Sequence, residues 1–516
     1  MNRVQQTVER ARFGALFLVF FVTLWLCHAR AILDPPYWDA LSGLFVQAHW
    51  QATHSLSPFD LLAHSAGFNE GGACVYPFSV QPPLVALFER FGASVDATLV
   101  AFHILSFAAG AVILTAVFSV TRQAIGVGLA ACATLAVATL PPFRALVAQV
   151  NMDIVLAAFT LLAFCAVNSR RPRTAVVWAA CALLVKPTGV IVVVALAGML
   201  VLRKFRPAWF ATETSEAHRI TGALVGLAGL FVVFVVELAV VAHYGKSPPG
   251  VSLFGGALPF LSKRLWTLPE FGLALVALFA LTPWIARRVQ CGAARPIEID
   301  GLVFTGAFVG FYCQYENVLP RYFVQCFPIL IVALATATAT LLPRTVVVVG
   351  LLAFAAFGLV NARGRFHPTK LADWNLPEDQ GVLVSNDGWL LERSLEYQDD
   401  LALNRAIAAR CEALRDEVVV ASWPLLQMLC EPRFGYVTTP VQLAAAETAL
   451  EWSSPPIEIG SRSRDRSNFV RVVSPNVYAS EVSRVRPGDE IVETFAVGRL
   501  RAFLLRRPSD SGASRR

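Results

Sequence analysis

Charge is what this chain has least of. Only 15% of its 516 residues are Asp, Glu, Lys or Arg, against about a quarter in a soluble protein. Hydrophobic residues make up 56%, and the mean hydropathy is +0.58. Most of the chain therefore cannot face water, and disorder, collagen-like repeats and coiled coils are excluded by the same figures. Cysteine pairs are missing too. The ten cysteines are scattered with no C-x-x-C, so neither a zinc knuckle nor a dense disulfide framework is implied. There is no internal repeat. A net charge of +7 would point to nucleic acid in a soluble protein, so its meaning depends on where the charges lie.

An apolar segment of about 20 residues spans the hydrocarbon core as a helix. The first candidate begins at Phe13, after Arg3, Arg10 and Arg12, and reads as an anchor because no small-residue cleavage site follows it. Ten more lie near 98–120, 124–140, 153–168, 174–185, 188–202, 220–242, 269–286, 301–315, 322–342 and 345–360. Each must be helical, because backbone polar groups in lipid need partners within their own segment. With the N-terminus in the cytoplasm, the inner segments carry 15 Lys/Arg in 54 residues and the outer ones 8 in 116. The inner flanks account for the positive excess, which therefore reports orientation and removes the nucleic-acid reading. Segments 174–185 and 188–202 are short, and one helix across both remains an alternative. The charge layout favours two helices with Lys186-Pro187 at an outer tip.

Residues 361–516 are of another kind, with 20 basic and 21 acidic residues and no long apolar run. Strand patterns at 382–385 and 418–421 flank an expected helix over 399–415. Ser422-Trp423-Pro424 suggests a strand-to-helix turn, and 490–507 alternates as two strands. Cys411 and Cys430 either pair or stay as buried free thiols. The expected fold class is an α-helical polytopic membrane protein with about eleven transmembrane helices and a C-terminal extracytoplasmic α/β domain. The membrane part covers 1–360 with a long first outer loop at 34–97; the α/β domain covers 361–507 and a disordered tail 508–516.

In the first outer loop Trp38, Leu41, Leu44, Phe45 and Ala48 share one helical face, as expected for a helix along the membrane interface. Asp39 lies in its first turn. Asp153 follows Asn151-Met152 at a helix start, Lys186 precedes Pro187, and Arg321 and Tyr322 begin a late apolar segment. These ionisable residues share the outer boundary, where such groups are costly and commonly mark a site. Carboxylates beside cations suit a reaction in which a base activates one partner and positive charge stabilises a leaving phosphate. Plainer readings exist for each: helix-start acids favoured by the dipole for Asp39 and Asp153, snorkelling for Lys186, a boundary anchor for Arg321. His49, His54 and His64 with Asp60 and Glu70 fit no metal template, and solvated loop side chains are the simpler reading. Glu237, inside an apolar span, has no assigned role.

Taken in order, Tyr37-Trp38-Asp39, Pro82-Pro83-Leu84, Asn151-Met152-Asp153, Leu184-Val185-Lys186-Pro187-Thr188-Gly189 and Pro320-Arg321-Tyr322-Phe323 with Pro328 form a pattern. It resembles the C-type (GT-C) integral-membrane glycosyltransferases, among them bacterial relatives of protein O-mannosyltransferases and of lipid A aminoarabinose transferases. The resemblance covers about 1–345. It implies inverting transfer of one sugar from a polyprenyl-phosphate donor to a glycolipid, glycan or protein acceptor. The reaction would take place at the outer face of a bacterial inner membrane. By this resemblance Asp39 is the general base, Asp153 helps form an acidic pocket, and Lys186 and Arg321, with Tyr322 beside them, hold the donor phosphate. The chain departs from the aminoarabinose transferases at Val80-Gln81, where those enzymes carry Glu-Lys before the Pro-Pro. A divalent metal is therefore not indicated, and that acceptor is disfavoured. Two other classes stand beside this reading: a transporter or flippase of a lipid-linked glycan, with mid-membrane polar groups and repeated halves, and an inactive relative serving in assembly.

Overall fold

The structure is a computed structural model. It describes residues 3–37, 40–65, 78–210, 216–244, 265, 268–314, 320–365, 388–414, 417–421, 425–445, 469–474, 490–498 and 500–506. Trp38, Asp39, Glu70, the 382–385 strand pattern and the Ser422-Trp423-Pro424 turn lie outside those residues. Contacts divide the chain into two compact units. One comprises Met1–Ile32, Phe78–Val80 and Val100–His367; the other comprises Leu33–Pro77, Gln81–Leu99 and Pro368–Arg516.

The first unit is helical. Ala11–Leu33, Val95–Ile125, Pro187–Phe205, Ala217–His243 and Pro269–Gln290 are each long and apolar enough to cross a membrane. Val127–Thr139 and Pro141–Ala148 make a sixth span if taken together, bent by 64°. The bend falls at Leu140-Pro141-Pro142, where the prolines start the second helix and cannot continue the first. Met152–Asn168, Pro172–Val185, Phe327–Leu341 and Arg344–Val360 are shorter apolar helices. At 14 to 17 residues they reach about 21–26 Å, less than the roughly 30 Å core, so length alone does not mark them as spans. This is a multi-span membrane protein, mostly helical, with a small C-terminal sheet.

Burial tells inner helices from outer ones. Met152–Asn168 is apolar all round and largely buried, as a central helix must be. Ala217–His243 buries only Ile220, Ala223 and Leu227, a stripe along its first half that packs on Pro172–Val185 and Val190–Phe205. The rest of its surface is mostly apolar and largely open, which suits lipid as solvent. Glu237 is half-buried on that helix. Residues 174–202 do not form one helix. Pro172–Val185 stops at Lys186, whose backbone is extended (φ −159°, ψ 142°), and a 3-10 turn over Pro187–Gly189 leads into Val190–Phe205. Gly189 approaches the first of these helices so closely that a Cβ would lie 2.5 Å from the Ala182 carbonyl.

In the second unit, β1 (Val418–Ala421), β2 (Leu443–Ala445), β3 (Phe469–Val473), β4 (Glu490–Val497) and β5 (Leu500–Arg506) form one sheet in the order β2-β1-β3-β5-β4. β1 pairs parallel with β2 and β3, and β5 runs antiparallel between β3 and β4. The interior strand β5 is nearly continuously buried, whereas edge strand β4 is mostly open. The expected helix over 399–415 appears as Tyr397–Ala413. Cys411 and Cys430 are free thiols, and burial pushes both up to about 12.

Two expectations about the first outer loop are corrected. Leu41, Leu44, Phe45 and Ala48 are 0–3% exposed. Their segment, a π-helix over Ala40–Val46 followed by Gln47–Thr53, packs against Gln81–Arg90, so its apolar face is covered by protein rather than membrane. Apolar periodicity reports a buried face and not what buries it. His49 is also no solvated loop side chain. Its Nδ1 lies 2.6 Å from Glu89 Oε1, and Arg433 Nη1 donates to the same oxygen at 2.8 Å.

The close approach at Gly189 gives a stability prediction. Gly189→Ala should destabilise the protein by about 1–3 kcal/mol, because the methyl meets backbone that cannot swing aside. Gly222→Ala, with open space around its Cβ and a better helix former in place, should leave the protein as stable or slightly more so. Thermal unfolding in detergent compares the two, and equal effects would contradict the packing described.

Candidate functional site

Three breaks in regular helix place the ionisable residues. Asn151 caps Met152–Asn168: its backbone is extended (φ −140°, ψ 134°) and its Oδ1 accepts from the Asp153 N–H at 2.8 Å. That leaves the Asp153 carboxylate available for other partners. Lys186 stands where Pro172–Val185 ends, and the residues before Pro82-Pro83 take up that helix's last carbonyls. Ser79 Oγ donates to Val185 O at 2.8 Å, and Val80 N–H to Leu184 O at 3.1 Å. Arg321 and Tyr322 sit in a fully buried 3-10 turn, Pro320–Gln325, which packs on Pro141–Ala148 and Met152–Asn168 before the chain enters Phe327–Leu341.

These turns bring the side chains together. Lys186 Nζ donates to Asp153 Oδ1 and Oδ2 at 3.1 and 3.2 Å, and Arg321 Nε lies 3.3 Å from Asp153 Oδ2. Lys186 Nζ sits 4.5 Å from the centre of the Tyr322 ring and the Arg321 guanidinium 5.5 Å from it. Tyr322 in turn stacks on Tyr312 at 5.6 Å. Asp153, Lys186 and Arg321 are each no more than 2% exposed. Of the five site residues read from the sequence, four therefore meet in one buried cluster, and Asp39 lies outside the described residues. Arg321 stands 168 positions beyond Asp153, so only the fold joins them.

Burying three ionised groups is expensive unless they face one another. Here one carboxylate receives two cations, and the aromatic face of Tyr322 adds a cation–π surface. A cluster with two fixed cations can hold an anion such as phosphate, and its low-dielectric surroundings strengthen that hold. No group of three or more His, Cys, Asp or Glu side chains that could hold a metal occurs among the described residues.

Sequence reasoning missed several neighbours. Tyr312, which supports Tyr322, ends the Pro296–Tyr312 helix and carried no pattern to single it out. Gln149 and Gln325 are buried on adjoining elements, and their Nε2 atoms have no hydrogen-bond partner among the described residues. Their proximity in sequence to Asp153 and Arg321 was the available signal. Other buried pairs stand apart from the cluster: Arg203 with Asp300, Arg288 with Glu298 at 2.9 Å, and Asn361 with Glu270.

Residues 80–236 match the family described as dolichyl-phosphate-mannose-protein mannosyltransferase. That segment includes Asp153 and Lys186 of the cluster and agrees with the resemblance read from the sequence. Among solved structures, the chain is similar to ArnT from Cupriavidus metallidurans in the apo state. Identity is 16% and the TM-score 0.48, over 96% of this chain and 98% of that one. It is similar also to ArnT from that organism bound to undecaprenyl phosphate, at 16% identity and a TM-score of 0.45, over 97% and 99%. No curated protein matches.

The shared carboxylate ranks the cluster's variants. Asp153→Ala leaves two buried cations without it and should cost about 3–5 kcal/mol. Lys186→Met keeps the Asp153–Arg321 contact and should cost clearly less. Unfolding midpoints of the two purified variants test the order, and a larger loss for Lys186→Met would contradict it.

Proposed function

We propose that this protein transfers a single sugar, with inversion, from a polyprenyl-phosphate donor to an acceptor hydroxyl at the outer face of a bacterial inner membrane. The observation that carries the reading is the buried meeting of Asp153, Lys186, Arg321 and Tyr322 at three helix breaks. The match of 80–236 to a membrane mannosyltransferase family supports the reaction class. The undecaprenyl phosphate named for the solved relative is the type of lipid phosphate the reading invokes.

In this reading all eleven apolar segments cross the bilayer, the N-terminus is cytoplasmic, and residues 361–507 form an extracytoplasmic domain. The fourfold difference in basic-residue density between the two sides supports that orientation. It also explains the donor class. Sugar nucleotides stay in the cytoplasm, so chemistry on the other side needs a sugar already carried across on a lipid.

The residues divide the work. Asp39, by the family resemblance, takes the proton from the acceptor hydroxyl as its oxygen attacks the anomeric carbon. The bond from that carbon to the phosphate oxygen breaks, and polyprenyl phosphate leaves with growing negative charge. Lys186 and Arg321 meet that charge, and Asp153 holds both cations in place before the donor arrives. Preorganised cations of this kind act without a reorganisation cost at the moment of reaction. The acceptor is a glycolipid, a glycan or a protein.

Two variants separate the roles. Asp39→Asn should abolish transfer, by at least about a hundredfold, while polyprenyl phosphate still binds. Lys186→Met should weaken binding of polyprenyl phosphate at least about tenfold as well as slow transfer. Full transfer by Asp39→Asn, read as restoration of the surface sugar in a deletion strain, would remove the general-base assignment.

A further inference from the structure

Residues from the C-terminal part of the second unit hold 33–37, the segment that precedes Trp38. The helix Tyr397–Ala413 buries Leu401, Ile407, Ala408 and Cys411 on one face, yet Asp400 and Asn404 occupy the same face and are fully buried. A carboxylate in that position needs a reason. Tyr37 Oη donates to Asp400 Oδ2 at 2.6 Å, and Asn404 Nδ2 donates to the same oxygen at 3.1 Å. The Tyr37 ring packs on Tyr397 at 5.8 Å. One residue earlier, Tyr436 Oη donates to Pro36 O at 3.0 Å. Arg405 reaches Asp34 at 3.7 Å and the Leu33 carbonyl at 3.4 Å. Leu33, Asp34, Pro36 and Tyr37 are thus held by the helix Tyr397–Ala413 and by Tyr436, 360 or more positions away in sequence.

Ala40 and Leu41 are fixed as well. Ala40 N–H donates to Tyr37 O at 3.0 Å, and Ala40 and Leu41 are buried at the start of the π-helix. π-Helical turns are rare and are found often at functional sites. The Tyr436 phenol stays un-ionised: burial raises it well above its ordinary range, Asp400 and Asp34 add to the rise, and Arg405 opposes it. Tyr436 can therefore act as a fixed donor over the whole working pH range.

We propose that Tyr37, Asp400 and Tyr436 are positioning residues that hold residues 33–37, the backbone leading to the general base proposed at Asp39. Asp400 and Tyr436 thereby take part in transfer without touching substrate. This rests on the reading of Asp39 as the general base. It accounts for a buried Asp400 whose partner lies in the first outer loop, where a purely structural core would favour an apolar residue. Displacing a catalytic group by about 1 Å costs roughly a hundredfold in rate, so loosening this grip should act on turnover before it acts on binding.

The test uses the full chain in nanodiscs, with polyprenyl phosphate as the binding probe. In Tyr37→Phe, which removes one oxygen, amide hydrogen exchange over 34–46 should rise about tenfold and transfer should fall at least tenfold. The dissociation constant for polyprenyl phosphate should not change. Asp400→Ala should behave alike, and Asp400→Asn, which keeps an acceptor for the Tyr37 hydroxyl, should recover most of the loss. Unchanged exchange over 34–46 in Tyr37→Phe overturns the proposal, and so does equal loss in Asp400→Asn and Asp400→Ala. Asp39→Asn is measured alongside. If it transfers normally, the base reading fails. If it is inactive while Tyr37→Phe keeps full turnover, the base stands and the positioning role falls.

Discussion

A buried carboxylate shared by two cations organises the described membrane unit. Asp153, Lys186 and Arg321 come from a helix start, a helix end and a 3-10 turn, and none of the three can be buried alone at acceptable cost. Their mutual contact therefore pins three chain breaks to one place. The breaks are themselves written into the chain: Asn151 as a cap, Pro187 after Lys186, and Pro320 before Arg321. Proline and capping chemistry stop the helices, and ionic pairing then locks the stops together.

That arrangement makes sense of an otherwise costly choice. A hydrophobic triad would pack these helix ends as well or better. Retaining charge is consistent with a role that needs it, and fixed cations beside an aromatic face are suited to an anion. Geometry held before the ligand arrives is what lowers a barrier. The second unit repeats the theme with neutral and acidic groups: Tyr37, Asp400, Asn404 and Tyr436 form a buried polar network along the segment that leads to residue 39.

Much of this was legible in the sequence. Apolar runs located the helices, because periodicity is irrelevant when a segment is apolar all round. The break at Lys186–Gly189, the helix over Tyr397–Ala413 and the β4–β5 hairpin followed from proline placement, stripe and alternation. What the sequence left hidden was long-range. An amphipathic stripe at Leu41, Leu44, Phe45 and Ala48 says that a face is covered, and the same stripe fits lipid or protein. His49 gave no hint of Glu89 and Arg433, which stand 40 and 384 positions away. In the sequence nothing sets Asp400 apart from the other acids of a polar helix; its burial and its Tyr37 partner exist only in the fold.

The central claim is that the Lys186–Arg321 pair is where a lipid-linked phosphate is held. The most direct measurement is an electron cryo-microscopy structure of the full chain in nanodiscs with polyprenyl phosphate. The account predicts the phosphate within hydrogen-bond distance of Lys186 Nζ and the Arg321 guanidinium, beside the Tyr322 ring. A phosphate bound elsewhere, with Asp153, Lys186 and Arg321 undisturbed and remote from it, would contradict it.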